Sequence, residues 1–513
     1  MVSTNTQAAD ATGNYGMTEQ AQHFDTLVLG LGRTGLSCIN YLAGLGERTG
    51  VADTRQQPPG LPDLKQRYPD TPFFAGEFSP ELLCRARRLV VSPGIAPHHP
   101  AVRAAARAGV EILGDVEIFC RNANAPLVAV TGSNGKSTVV SLLAQMLERA
   151  GLRAGLGGNI GTPALDLLSR PAPDYYVLEL SSFQLETLRS HRPAAAAVLN
   201  VSADHLDRHE SMEDYAQAKQ NIYAGDGAMI INLDDETVRA MQRPGRWTVS
   251  YSLARPDADF RAGDRNGETW LVHGDEMLIR QSELRVHGLH NLANVLACLA
   301  LGRALDLPLL AMLEAARDFS GLPHRCERVA AINGVDWIND SKGTNVGATL
   351  AALRGLAQDR NNIVLVAGGD GKGADFTPLA HAIGRHVKAV ILTGKSAQEI
   401  AAIVPPGNPV FYATGMDAAV SAAARVARPG DTVLLSPACA STDMFRDFAE
   451  RGDAFKHSVA GIRSRPAGDK VSDWMPEQVR HDEEGAGDTA TSSSFPRRRE
   501  SSKTTGRPEG DTE

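Results

Sequence analysis

Residues 130–138 read Val130-Thr131-Gly132-Ser133-Asn134-Gly135-Lys136-Ser137-Thr138, a glycine-rich turn followed by a lysine and two hydroxyls. The preceding Ala125–Val130 run is apolar and strand-like, and Val139, Val140, Leu142, Leu143, Met146 and Leu147 recur at helical spacing until Gly151. A turn of this kind between strand and helix aims backbone N–H groups and a helix N-terminus at a phosphate. Lys136 then reaches the terminal phosphate, and Ser137 or Thr138 offers an oxygen to Mg²⁺. The general phosphate-loop pattern has glycine where this chain has Val130. The stretch predicts a nucleotide-phosphate cradle inside an α/β domain.

A chain of 513 residues, with 42% hydrophobic and 22% charged residues, predicts a globular protein of about three domains. The formal net charge of -8, and the lack of a long basic stripe with interleaved aromatics, argue against nucleic acid as a partner. Cys38, Cys84, Cys120, Cys298, Cys326 and Cys439 are scattered without a CxxC pair, so neither a zinc site nor a disulfide framework is expected. No signal segment is evident, and no apolar run reaches the ~18 residues of a membrane span. The expectation is a cytoplasmic chain without membrane insertion. Its ends, 1–23 and 464–513, carry few aliphatic residues and are expected to be disordered tails, the Arg497-Arg498-Arg499 run included.

Between the tails, apolar runs alternate with helical patterns in three blocks, which predicts parallel sheets. Strands are expected at Thr26–Leu29, Thr49–Ala52, Arg88–Val91 and Val110–Leu113 in the first block. The second adds Tyr175–Leu180, Ala195–Val201, Ala228–Asn232 and a hairpin over Thr269–Ile279. The third has Ile363–Ala367, Ala389–Thr393 and Thr432–Ser436. The block boundaries fall near 115 and 322.

In the first block Gly30-Leu31-Gly32-Arg33-Thr34-Gly35 follows a strand and opens a helix, with Asp53 at the end of the next strand. This matches the dinucleotide fingerprint with its ribose acid, and by itself suggests an NAD-dependent oxidoreductase. A UDP-sugar also carries a diphosphate, and a dehydrogenase leaves the cradle at 130–138 without a role. In the second block Glu179 ends a strand, and Asp204-His205-Leu206-Asp207 follows the next, both on the side where open α/β sheets hold ligands. Lys219, on a helical stretch beginning near Tyr215, reads as a solvated surface lysine.

An ordered set of segments goes further: VTGSNGKST (130–138), GGNIGTPAL (157–165), YVLELSSFQLE (176–186), NVSADHLDRH (200–209), GLHNLAN (288–294), FSGLPHR (319–325), INDSKGTNVGA (338–348), GGDGKGADF (368–376) and LLSPACAS (434–441). With these the chain resembles the Mur ligases of bacterial peptidoglycan synthesis from about Asp25 to Gly461. ELSSFQLE, GGDGKGADF and SPACASTDMF resemble the glutamate-adding branch.

The resemblance implies three domains. They are an N-terminal Rossmann-like UDP-binding domain (24–114), a central P-loop ATPase-type domain with a mostly parallel sheet (115–322), and a C-terminal Rossmann-like amino-acid-binding domain (323–463). It implies an ATP-dependent ligase that adds D-glutamate to UDP-N-acetylmuramoyl-L-alanine through an acyl phosphate, acting as a monomer in cell-wall synthesis. Gly30, Gly32, Arg33, Thr34, Gly35, Asp53, Thr54, Arg55, Ser92, Pro93, Gly94 and Asn159 would then meet the UDP substrate. Gly132, Ser133, Asn134, Gly135, Lys136, Ser137, Thr138, Asn294, Arg325, Asp340 and Lys342 would meet ATP. Ser137 and Glu179 would hold one Mg²⁺, and His205 with a carbamate on Lys219 a second. Lys136, His205 and Lys219 would be the catalytic set, and Thr344, Lys372, Ser441 and Phe448 the glutamate pocket. Positions 343 (Gly) and 442 (Thr) depart from the expected pattern without removing a charge or a ligand. Another Mur ligase, a folylpolyglutamate synthase-like ligase, the oxidoreductase and a non-catalytic nucleotide-binding scaffold are the alternatives.

Overall fold

Apolar runs flanked by helical segments can bury both faces only inside parallel sheets, and three such sheets form in chain order. The computed structural model describes residues 23–204, 208–357 and 361–463. The tail expectations, His23 apart, and the Arg497–Arg499 run lie outside the described residues, as does His205.

The first sheet contains β1 (Phe24–Leu29), β2 (Thr49–Asp53), β3 (Phe73–Ala75), β4 (Ala86–Val91) and β5 (Glu111–Leu113), all parallel, in the order β3-β2-β1-β4-β5. The order reverses at β1, so a crevice opens where β1 runs into the Gly30–Gly35 turn and the helix Arg33–Gly44.

The second sheet holds β6 (Leu127–Thr131), β7 (Ala154–Gly158), β8 (Tyr175–Glu179), β9 (Ala195–Val198), β10 (Ala228–Asn232), β11 (Thr248–Ser252), β12 (Phe260–Arg265), β13 (Glu268–His273) and β14 (Glu276–Arg280). Its order is β14-β13-β12-β11-β10-β9-β6-β8-β7, parallel except for the antiparallel β12–β13–β14 edge. β6 lies between β9 and β8, so the turn after it opens over two neighbouring strand ends. The helix Leu289–Ala304 is almost wholly buried, which explains its weak amphipathicity. Leu296, Leu299 and Leu301 are completely inside, each stabilising the fold by roughly 1.5–3 kcal/mol relative to exposure.

The third sheet contains β15 (Glu327–Ile332), β16 (Val335–Asn339), β17 (Ile363–Gly368), β18 (Val387–Thr393), β19 (Val410–Tyr412) and β20 (Thr432–Leu435). Its order is β15-β16-β20-β17-β18-β19, with β15 antiparallel at the edge. The loops leaving β16, β17 and β20 therefore emerge side by side.

The first two sheets are tied through polar groups. Ser37 Oγ donates to Asp166 Oδ1 at 2.6 Å. Glu117, on the helix Asp115–Asn122 between the sheets, accepts from the Arg189 and Ser190 amides at 2.8 and 3.0 Å. Burial alone would raise its pKa, but these donors with the Ser190 hydroxyl and Arg121 hold the carboxyl at about 2.

β1, β2, β4, β5, β6, β8, β9, β10, β17, β18 and β20, and the β13–β14 hairpin, occur where the apolar runs predict them, with shifted ends. Strand structure after Ala195 stops at Val198 rather than Val201, because Asn200 and Ser202 turn to bind the phosphate loop. β3, β7, β11, β12, β15, β16 and β19 have no counterpart among the expected strands. β7 reads Ala-Gly-Leu-Gly-Gly, which has no strand signature, yet a Cβ at Gly155 or Gly157 would stand 2.8 or 2.4 Å from neighbouring atoms.

Candidate functional site

The turn after β6 has the shape its glycines allow. Gly132 and Gly135 take φ of +152° and +87°, and a Cβ on Gly135 would stand 2.4 Å from Asn294 Oδ1. The loop is held from outside: the Asn134 amide donates to Asn200 Oδ1 at 2.8 Å, and the Ser202 amide donates to Ser133 Oγ at 2.9 Å. Lys136 Nζ curls back to donate to Gly132 O at 2.7 Å and Ser133 O at 2.9 Å, which keeps a desolvated ammonium paired.

Around it lies a compact polar cluster. Ser137 Oγ donates to Glu179 Oε2 at 2.6 Å, and Asn159 Nδ2 donates to Glu179 Oε1 at 2.8 Å. Arg325 Nη2, from the start of the third sheet's segment, donates to Ser137 Oγ at 2.6 Å. Lys219 is 1% exposed, so the surface reading from sequence is wrong. The helix Met212–Gln220 turns Tyr215, Ala218 and Lys219 inward, with the Lys219 ammonium 4.4 Å from the Tyr215 ring centroid. Burial, with Lys136 nearby, pushes the Lys219 pKa well below the usual lysine range.

The third sheet's loops face this cluster. Asn345 Nδ2 donates to Asp204 Oδ2 at 2.9 Å while its Oδ1 caps the helix Val346–Leu356. Asp340 is buried, accepts from the Ser436 hydroxyl at 2.8 Å, and is pushed up to about 6 by desolvation. Lys342 lies 4.1 Å over the Phe448 ring, and burial with the Arg325 and Lys136 charges lowers its pKa to about 8. A Cβ at Gly343 would stand 2.6 Å from Asp340 Oδ2, so glycine at that position has a steric reason. Cys326, Lys372 and Ala438 adopt left-handed φ of 47°, 50° and 58°, a local strain concentrated in these loops.

Two cavities open here. One of about 270 Å³ is bounded by Asn134, Gly135, Thr138, Asn294, Asp340 and Lys342. The other, about 810 Å³, is bounded by Lys136, Ser137, Glu179, Arg325, Thr344 and Lys372 among others, and Asn159 reaches it too. Ser441 is buried beside this region, its carbonyl accepting from the Met444 and Phe445 amides, and Phe448 packs on Lys342. Neither Ser441 nor Phe448 lines the larger cavity.

The first-sheet residues form a separate group. Gly30 has φ +89°, and a Cβ there would stand 2.9 Å from Ser92 Oγ. Asp53 Oδ2 accepts from the Leu31 amide at 2.7 Å and from Arg55 Nη2 at 2.8 Å. Burial would raise its pKa, but these bonds hold it at about 2. The carboxylate expected at a ribose in the dinucleotide reading is thus engaged in shaping the glycine turn. Thr54 and Arg55 are exposed at the rim, as are Arg33 and Gly94, while Thr34 and Pro93 are half-buried.

Sequence models for three domains match in chain order: a Mur ligase MurD-like N-terminal domain over residues 24–114, a Mur ligase middle domain over 130–302, and a Mur ligase glutamate ligase domain over 324–439. A UDP-N-acetylmuramoylalanine–D-glutamate ligase of Nitrosococcus oceani is 49% identical over 440 residues, 86% of this chain and 97% of the relative. The chain belongs to the Mur ligase family. A second relative of the same description, from Pseudomonas aeruginosa, is 47% identical over 441 residues, 86% of this chain and 98% of its own length. The fold is also that of solved Mur ligases. MurF of Thermotoga maritima in complex with ADP superposes with TM-score 0.57 at 17% identity, covering 86% of this chain and 97% of that one. UDP-N-acetylmuramate–alanine ligase of the same organism gives TM-score 0.55 at 17% identity, over 86% and 100%.

Sequence reasoning missed several residues that shape this Mur ligase site. Asn200 and Asn345 fasten the phosphate loop and the third sheet's helix, and Arg451 donates to Ser341 O at 2.8 Å and Cys439 O at 3.2 Å. Asn200 and Asn345 lie inside recognisable segments, whereas Arg451 carries no spacing signal of its own. Among the described residues no helix is long and apolar enough to cross a membrane, and the six cysteines are free.

Proposed function

We propose that this chain is the ATP-dependent ligase that joins D-glutamate to UDP-N-acetylmuramoyl-L-alanine, with ADP and phosphate as the other products. The observation that carries this reading is the 810 Å³ cavity, whose wall combines Lys136, Ser137 and Glu179 with Thr344 and Lys372. One space therefore borders both a phosphoryl-transfer cradle and a cation suited to an incoming dicarboxylate. The division into 24–114, 115–322 and 323–463 is part of the proposal, as is action by a monomer in the cytoplasm.

ATP lies with its adenine end near Asn294 in the smaller cavity and its phosphates over Gly132–Thr138. A carboxylate oxygen of the muramoyl-alanine attacks the γ-phosphorus, the bond to the β-phosphate oxygen breaks, and ADP leaves. Lys136 and Arg325 neutralise the transferring group, and Lys136 needs only to exchange its two carbonyl partners for phosphate oxygens. The glutamate amine attacks the activated carbonyl carbon and loses its proton, and phosphate departs. Holding three substrates in line can contribute roughly 7–11 kcal/mol in favourable cases.

The residues present fit Mg²⁺. Ser137 and Glu179 converge within 2.6 Å as oxygen donors. Lys219 fits a carbamate, because burial favours the neutral amine that adds CO₂. Bound there, Mg²⁺ would neutralise phosphate charge. His205 would join Lys219 as a ligand.

A heavy-oxygen label in the alanyl carboxylate should appear in the released phosphate; label retained wholly in the peptide product contradicts an acyl phosphate. Lys372→Ala should raise the KM for D-glutamate by on the order of tenfold or more with little change for ATP. Equal rises for both would reject its role.

A further inference from the structure

One guanidinium connects the first sheet's group to the phosphate loop. Arg208 follows β9 in sequence, and its side chain is 12% exposed. Its Nη1 donates to Pro93 O at 3.4 Å and its Nη2 to Ile95 O at 3.3 Å. That loop leaves β4 beside the Gly30 turn, with Ser92 Oγ donating to Gly30 O at 3.2 Å. The same Nη2 donates to Glu186 Oε2 at 2.9 Å, and the guanidinium lies 4.8 Å from the Phe183 ring centroid. Both Phe183 and Glu186 belong to the helix Ser182–Glu186, which follows β8 and Glu179.

From there ring contacts continue to the phosphate loop. Phe183 stacks on His209 at 5.6 Å, and His209 packs on Tyr215 at 5.0 Å. The Tyr215 hydroxyl is 3.2 Å from Ser133 Oγ, and Lys219 covers the other part of this ring. The Arg208 Nε is buried and has no hydrogen-bond partner among the described residues. An Nε–H left without a partner is costly, and the other two nitrogens of the guanidinium are spent on the two loops.

We propose that Arg208 is a positioning residue that registers the Ser92–Ile95 loop, and with it the bound muramoyl nucleotide, against the phosphate loop. This rests on the function proposed above. The carbonyls of Pro93 and Ile95, drawn toward Arg208, fix the loop's orientation beside the Gly30 turn. The aromatic contacts then relate that orientation to Ser133 and Lys219. Contact alone does not establish coupling, so the test measures it.

In the full-length chain, Arg208→Ala should raise the KM for UDP-N-acetylmuramoyl-L-alanine by on the order of tenfold to a hundredfold. Calorimetric affinity for that nucleotide without ATP should fall by a similar factor, while the KM for D-glutamate stays within about twofold. Arg208→Lys keeps the charge but not the fork, and should recover only part of the loss. Arg208→Ala combined with Phe183→Ala should cost less than the product of the two single effects. An unchanged nucleotide KM and affinity in Arg208→Ala overturns the proposal. So does a parallel rise of all three KM values with a lowered Tm in both Arg208 variants, the mark of a merely structural arginine. If Arg208→Ala does not fold, Arg208→Lys and Phe183→Ala must show the selective rise, and its absence is equally fatal. A parent protein inactive with these substrates fails the function reading; an active parent with an indifferent Arg208 fails this proposal alone.

Discussion

Lys342 shows how residue chemistry governs the site's working range. Burial and the Arg325 and Lys136 charges depress its pKa to about 8, so it is charged below that pH and neutral above it. Phosphates favour the charged form, so the KM for ATP should climb as pH rises through about 8, and Lys342→Arg, which stays charged, should flatten that limb. An identical alkaline rise in Lys342→Arg would assign the titration elsewhere. Lys136 was legible because its turn, hydroxyls and helical periodicity stand together in sequence. Lys219 was not, because a single lysine on a mostly polar helix gives no sign that its face will be 1% exposed. Asp53 was found for its place at a strand end, yet its engagement with Leu31 and Arg55 depends on the folded turn. Arg208 was passed over because its four partners lie in two distant segments, after β4 and after β8, that meet it only in the folded chain.

Among elements, the helix Val346–Leu356 carries the approach between the third sheet and the phosphate loop. Its first turn comes so close that a Cβ on Gly347 would stand 2.7 Å from Ser202 Oγ. Gly347→Ala should therefore hold the third sheet's loops off the cluster. The expected result is a kcat lowered by on the order of tenfold or more with muramoyl-nucleotide affinity retained, because the added Cβ would meet Ser202 and Asn345 rather than a first-sheet residue. Loss of nucleotide affinity together with kcat would contradict that separation. Strands such as β6, β10 and β17 were readable as continuous apolar runs, the mark of parallel strands buried on both faces. Other strands were not: β7 is mostly glycine, β3 and β19 are three residues long, and β12 gains its register from β13 opposite. Their strand character comes from pairing rather than from local preference.

At the scale of the molecule, three sheets each place candidate site residues at the carboxyl ends of their strands, and in the proposed reaction the contacts between them bring three substrates together. Arg325 on Ser137 and Asn345 on Asp204 bring the third sheet's loops to the phosphate cradle, while Arg208 reaches from the second sheet's loops to the first. The order of the three blocks was visible in the sequence as apolar runs alternating with helical patterns. The contacts between blocks were not, because each joins residues far apart in sequence and none leaves a periodic trace. The central claim is that these sites together make an amide to D-glutamate. The decisive measurement is phosphate release from ATP and Mg²⁺ with UDP-N-acetylmuramoyl-L-alanine, comparing D-glutamate with L-glutamate, D-alanine, meso-diaminopimelate and no amino acid. The account predicts turnover with D-glutamate alone and a product carrying one added glutamate, whereas turnover with a different amino acid, or none with any, would contradict it.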